Sequence, residues 1–222
     1  MPDMPEERFR IETAKGDVSG AWTPAPDPAA PAIVVGHGAG AGMDHPFMVG
    51  FCRAVAGQGV SALRFNFPYM EAGRRSPDSA ANAIGAFRVA VDAAAVRTGD
   101  RPVFGGGKSY GGRMASMAAA EGAPVAGLVF LGYPLHAPGK PDQLRAEHLF
   151  GLEIPMLFLQ GTKDPFADPG RLQGVLAKLG AWATYVPFEG AGHSFERSRK
   201  DDQRENGAAL APHASAFVRD HT

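Results

Sequence analysis

Residues 101–116 read "RPVFGGGKSYGGRMAS", and the sense given to that stretch decides the fold. "GGGKS" resembles the end of a phosphate-cradling loop, whereas "GKSYG" resembles a tight strand-to-helix turn that presents a serine. A phosphate loop needs G-x-x-x-x-G-K-[ST], so that successive backbone N–H groups curl round the phosphates. Its first glycine would fall at position 102, which is Pro102, and "PVF" still belongs to the preceding apolar run. The apolar run "GLVFLGY" also carries no acidic residue to hold magnesium. The rival pattern, G-x-S-x-G, is complete in Gly107, Ser109 and Gly111. Small residues are needed there because the chain turns from strand to helix so sharply that the serine sits in a strained backbone conformation, a nucleophile elbow. With 29 Gly in the chain, about 0.15 chance occurrences of such a pattern are expected, so context has to decide. An apolar run precedes the motif and the helix-forming "RMASMAAAEG" follows it.

Outward from this turn, the runs "AIVVGHG", "VSALRFNFP", "RPVFGG", "VAGLVFLGY", "PMLFLQG" and "ATYVPFEG" each read as a strand. "RFRIETAKGDVSGAWTP", near the start, reads as a hairpin about a Lys-Gly-Asp turn. Helix-length segments lie between the strands. The clearest is about Asp78 to Thr98, where Ile84, Phe87, Val91 and Ala94 share one face and Arg88, Asp92 and Arg97 the other. Further helices are expected over His45–Gln58, after Ser109, over Pro169–Leu179 and over Asp202–Val218. Strands that are apolar throughout, alternating with helices, imply an α/β fold whose parallel sheet is covered on both faces. Chemistry in such folds collects at the carboxyl ends of the strands.

A serine hydroxyl is a weak nucleophile, so a histidine must accept its proton and a carboxylate must orient that histidine. In a sheet of this kind the chain order is serine, acid, histidine. Asp164 in "LFLQGTKDPF" and His193 in "PFEGAGHSF" fit that order, each just after an apolar run. Asp168 is the alternative acid, but it stands where a cap for a helix starting at Pro169 is wanted. Two donors must also face the oxygen that becomes negative. The amide of Tyr110, after the serine, is one candidate, and the amide of Ala39 in "GHGAGAG" is the other, with Gly38 and Gly40 allowing close approach. His37 is expected to organise that loop, and Asp44 and His45 to open a helix. The bland alternative for "GHGAGAG" is a flexible glycine turn.

Length and charge set the remaining bounds. The 222 residues suit a single domain spanning 1–222, and 22 Lys+Arg against 23 Asp+Glu leave no basic field for nucleic acid or an anionic membrane. The solitary Cys52 suits a buried small side chain in a reducing interior. "MPDMPEERFR" lacks a secretory apolar core, and Val125–Tyr133 is too short to span a bilayer, so a cytoplasmic protein is expected. The histidines lack the close spacing of shared metal ligation, "ERSRKDDQREN" reads as a solvated loop and helix start, and the chemistry calls for no cofactor. The partner it does call for is a small-molecule acyl substrate.

The segments "GHGAGAGMDHPFM", "RFNFPYMEAGRRSPD", "GGKSYGGRMAS", "GYPLHAPGKP", "LFLQGTKDPF" and "GAGHSF" together resemble the α/β-hydrolase superfamily, and more narrowly its small branch related to the Tex30 and KANSL3 proteins. The resemblance implies a mostly parallel eight-stranded sheet with helices on both faces and a Ser109, Asp164, His193 triad. With the site residues above, the expected activity is that of a serine hydrolase acting on carboxylic esters, thioesters or related acyl compounds. The same branch includes members that act through protein contacts, so a binding or scaffold protein with an idle triad is the alternative. Many relatives carry Met after the serine, where this chain has Tyr110. Only about twenty residues separate "GYPL" from "PMLFLQG", too few for the lid that related enzymes often insert there. An open cleft is therefore expected, with Tyr69, Glu71, Arg74 and His136, all just after strands, as candidate substrate contacts. Such a cleft suits short acyl groups or acyl groups on soluble carriers.

Overall fold

A computed structural model describes residues 6–77 and 79–222. Eight strands form one sheet in the order β1-β2-β4-β3-β5-β6-β7-β8. The hairpin β1 (Glu7–Ile11) and β2 (Val18–Thr23) is antiparallel, and β2 pairs antiparallel with β4 (Ser61–Phe65). From β4 onward every pairing is parallel, through β3 (Ala32–Gly36), β5 (Val103–Lys108), β6 (Leu128–Leu131), β7 (Met156–Gly161) and β8 (Ala183–Phe188).

The central strands are buried at every position because both faces are covered. Side chains alternate across a strand. Val34, Leu63, Phe130 and Phe158 therefore meet the helices on one face, while Ile33, Val35, Val129 and Leu131 meet those on the other. The first face is packed by α3 (Ala80–Thr98), α4 (Tyr110–Ala120) and α5 (Pro169–Leu179). The second is packed by α1 (Pro46–Ala56) and α7 (Ala211–Asp220), and Cys52 lies within it, its thiol pushed up to about 12 by burial.

Helix α3 buries Ile84, Phe87, Val91 and Ala94, as its spacing requires, while Arg88 and Asp92 are exposed. Asp78, the residue at which the sequence starts this helix, lies outside the described residues. A single helix over Asp202–Val218 does not form. It divides into α6 (Gln203–Ala208) and α7, with Pro212 in the first turn of the latter. Proline has no N–H to donate to the preceding turn and its ring crowds the carbonyl there, so the chain breaks and restarts. A short helix α2 (Pro68–Glu71) follows β4, and no inserted helical lid lies between β6 and β7, where a five-residue 3₁₀ turn over Glu147–Gly151 is the regular element.

The loop after β3 is held from four sides. The Met43 amide donates to Asn66 Oδ1 at 2.9 Å, and the Gly40 amide donates to the Tyr69 hydroxyl at 3.2 Å. Arg64, buried on β4, donates to the Met43 carbonyl and pairs with Asp44 and Glu6. His37 is wholly buried, with Nδ1 donating to the Gly38 carbonyl at 2.8 Å and Nε2 accepting the Phe67 amide at 3.1 Å. The acceptor role of Nε2 requires the neutral ring, and burial pushes its pKa down to about 4. His37 therefore organises the loop, as its place beside the glycines suggested.

Candidate active site

Ser109 follows β5 directly and has φ 50° and ψ −112°, a left-handed conformation for a residue with a side chain. Strain of this kind costs on the order of 1–3 kcal/mol and has to be imposed by its surroundings. Here β3 imposes it: a Cβ on Gly107 or on Gly111 would fall deep inside the Gly36 carbonyl oxygen. The G-x-S-x-G spacing is thus a packing requirement between the turn and the neighbouring strand. It lifts Ser109 above the carboxyl end of the sheet.

The acid and the histidine arrive from β7 and β8. His193 Nε2 lies 2.8 Å from Ser109 Oγ, and His193 Nδ1 lies 2.6 Å from Asp164 Oδ2. A carboxylate only accepts, so Nδ1 carries the proton and Nε2 accepts the serine hydroxyl. Asp164 is 5% exposed, and its oxygens also receive Gln160 Nε2 at 2.5 Å and the Phe166 amide at 2.8 Å. Gln160 is fixed in turn by the Tyr133 amide, which donates to Oε1 at 2.8 Å. The Phe166 ring packs on the imidazole with centroids 4.3 Å apart. The loop carrying His193 is tied by the Ser194 amide to Glu196 Oε2 and by Phe195, at φ 62°, whose ring stacks on Phe47. Asp168 does not approach His193. Its carboxylate caps α5 by accepting the Arg171 amide at 2.9 Å.

A cleft of about 350 Å³ opens over Ser109 and His193, bordered by Ala39, Tyr110, Phe47, Met48, Pro134 and Phe166. Ala39 belongs to the pinned loop, and Tyr110 is the first residue of α4, where amides point out of the helix end. The Tyr110 ring packs edge-on against Phe67 and Tyr69, at centroid distances of 5.3 and 6.3 Å. Of the two residues expected at the helix entry, His45 is the N-cap of α1, whereas the Asp44 carboxylate is engaged by arginines instead of by the helix. Asp44 pairs with Arg8, and His45 Nδ1 accepts the Phe47 amide.

The four candidate substrate contacts lie outside the cleft's lining, and the structure corrects their reading. Tyr69 is 1% exposed and supports the Gly40 amide from beneath. Glu71 accepts the Ser19 amide at 3.1 Å and Asn66 Nδ2 at 3.0 Å and pairs with Arg10, so it ties the first hairpin to the chain after β4, and its carboxyl is held at about 2. His136 bridges two loops, Nδ1 donating to the Ala137 carbonyl and Nε2 accepting the Asp168 amide. Arg74 is exposed, with its amide on the Tyr69 carbonyl. All four follow strands, but following a strand does not fix the direction in which a side chain points.

Sequence reasoning passed over Gln160, Phe166 and Lys108. The available signal for two of them was a polar residue closing an apolar strand, Gln160 in "LFLQG" and Lys108 in "FGGGK". Among the described residues no three His, Cys, Asp or Glu side chains are grouped to hold a metal ion, and no helix is long and apolar enough to cross a membrane.

Sheet order, elbow and cleft define an α/β-hydrolase fold without a lid. The chain belongs to the alpha/beta hydrolase domain family, whose profile matches residues 29–219. Among solved structures it is similar to a serine hydrolase without a lid from Xanthomonas campestris, at 18% identity and TM-score 0.75 over 97% of this chain and 95% of that one. It is similar to an alpha-beta serine hydrolase homologue from Coxiella burnetii, at 17% identity and TM-score 0.76 over the whole of both chains. It is also similar to an esterase from Pyrococcus furiosus, at 12% identity and TM-score 0.77 over 98% of this chain and 92% of that one. At these identities the likeness is one of fold.

Proposed function

We propose that this protein is a cytoplasmic serine hydrolase that cleaves carboxylic esters, thioesters or related acyl compounds through an acyl-enzyme on Ser109. The observation that carries this reading is the unbroken series of hydrogen bonds from Ser109 Oγ through His193 to Asp164, at 2.8 and 2.6 Å. In the first half-reaction Ser109 Oγ attacks the carbonyl carbon while His193 Nε2 takes its proton. Asp164 keeps the proton-bearing Nδ1 turned away and stabilises the imidazolium. The Ala39 and Tyr110 amides donate to the oxyanion. His193 then returns the proton to the departing alcohol or thiol, and water repeats the sequence to release the acid and restore Ser109.

The open cleft favours short acyl groups, or groups on a soluble carrier, over long chains needing a cover. Within the family, the segments "GGKSYGGRMAS" and "GHGAGAGMDHPFM" support the branch related to Tex30 and KANSL3. The test is a panel of chromogenic esters of increasing acyl length with Ser109→Ala as the control. Turnover should fall by about 10³-fold or more in the variant. Absence of turnover on every ester by folded protein, with an unaltered response in Ser109→Ala, overturns the hydrolase reading in favour of a binding protein.

A further inference from the structure

The charged side chains lining the cleft are unbalanced. Lys108, Arg113 and Arg145 face it, and no aspartate or glutamate does. None of the three takes part in an ion pair among the described residues. Arg113 Nε is buried with no hydrogen-bond acceptor.

Lys108 is the sharpest of these observations. It closes β5 immediately before Ser109, is only 8% exposed, and sits with Nζ 5.9 Å from the centroid of the Phe47 ring. The carboxylates whose charge reaches it are Asp164 and Glu196. Both are committed elsewhere, Asp164 to His193, Gln160 and the Phe166 amide, and Glu196 to the Ser194 amide. The desolvation outweighs those two charges, and burial pushes the amine down to about 8. A methionine would fill this wall without that penalty. An ammonium largely buried and without an ion-pair partner at the rim of a reactive site is explained when a ligand brings the missing charge.

We infer that the cleft selects acyl substrates bearing a carboxylate within a few bonds of the reacting carbonyl, received by Lys108 with Arg113 and Arg145 as further donors. The Lys108 stem runs beside Gly38, the neighbour of Ala39, and the inference assigns the charge it receives to the acyl portion of the substrate. Two guanidinium forks and one ammonium offer a carboxylate both bidentate and point-charge donors. The cleft volume of about 350 Å³ suits a short dicarboxylic half-ester.

This inference rests on the proposed hydrolase activity, and the two fail differently. The experiment compares kcat/KM for p-nitrophenyl hemiglutarate with that for its uncharged counterpart, p-nitrophenyl hexanoate. The wild-type protein should favour the charged ester by about tenfold or more, and Lys108→Met should lower that ratio by about tenfold or more. Arg145→Met, a half-buried position, should lower it several-fold and serves if Lys108→Met does not fold. A ratio near one in the wild type, or one that Lys108→Met leaves unchanged, overturns the inference while turnover of the uncharged ester keeps the hydrolase standing. If neither ester reacts, calorimetric titration of Ser109→Ala with monomethyl glutarate decides. Binding that weakens about tenfold when Lys108→Met is added supports the subsite, and no binding overturns it.

Discussion

Replacing Lys108 by methionine should make the protein more stable, because the wild-type side chain is charged at neutral pH in a wall that water scarcely reaches. Its amine is pushed from the ordinary 10.5 down to about 8, which corresponds to about 3 kcal/mol of net destabilisation of the charged form. Methionine has a similar length and would keep most of the packing against Phe47. A gain of about 2–3 kcal/mol would raise Tm by about 5–10 °C for a chain of this size. The sign with pH follows from linkage. Between about 8 and 10.5 the unfolded chain holds the lysine proton and the folded chain has lost it, so wild-type stability rises with pH across that window. The advantage of Lys108→Met should therefore be complete at pH 7 and shrink toward pH 10.5. Thermal melts of both proteins at pH 7, 8, 9 and 10 measure it. A variant no more stable than wild type at pH 7, or an advantage constant with pH, refutes the reasoning. The charge that weakens the fold is also the one assigned to substrate, the usual exchange of stability for function at a binding site.

Gln160→Leu removes a donor to Asp164 and leaves the Tyr133 amide without its acceptor. It should destabilise the fold by about 1–3 kcal/mol and lower kcat by about tenfold with little change in KM, read from steady-state kinetics and urea unfolding. His37 is neutral in the fold with a pKa near 4 against an ordinary 6.5. Its contribution is thus present above pH 6.5 and lost as pH falls toward 4, about 2–3 kcal/mol by pH 4.5. Urea midpoints at pH 7 and 4.5 should separate further in the wild type than in His37→Gln.

The parallel sheet was legible because Ala32–Gly36 and residues 156–159 are buried on both faces, so their alternation vanishes and an unbroken apolar run remains. Helix α3 was legible for the opposite reason, its buried residues recurring at helical spacing. The placement of β4 between β2 and β3 was not, since it depends on pairings between distant segments that no local pattern records. Chain order and position after strands picked out Ser109, Asp164 and His193, and the fold brings them within hydrogen-bonding distance. The same rule of position misdirected Tyr69, Glu71, Arg74 and His136. A residue following a strand is at the right height, but loop hydrogen bonds decide whether it turns toward the cleft. Lys108 and Gln160 were hidden because a polar residue ending an apolar strand is read as the strand's boundary.

The most direct test is covalent. Incubation with a fluorophosphonate, followed by mass spectrometry of the digested protein, should show one adduct on the peptide containing Ser109 and none in Ser109→Ala. Folded protein that takes up no adduct, or takes it up on another residue and keeps it in Ser109→Ala, would contradict a serine made reactive by His193 and Asp164.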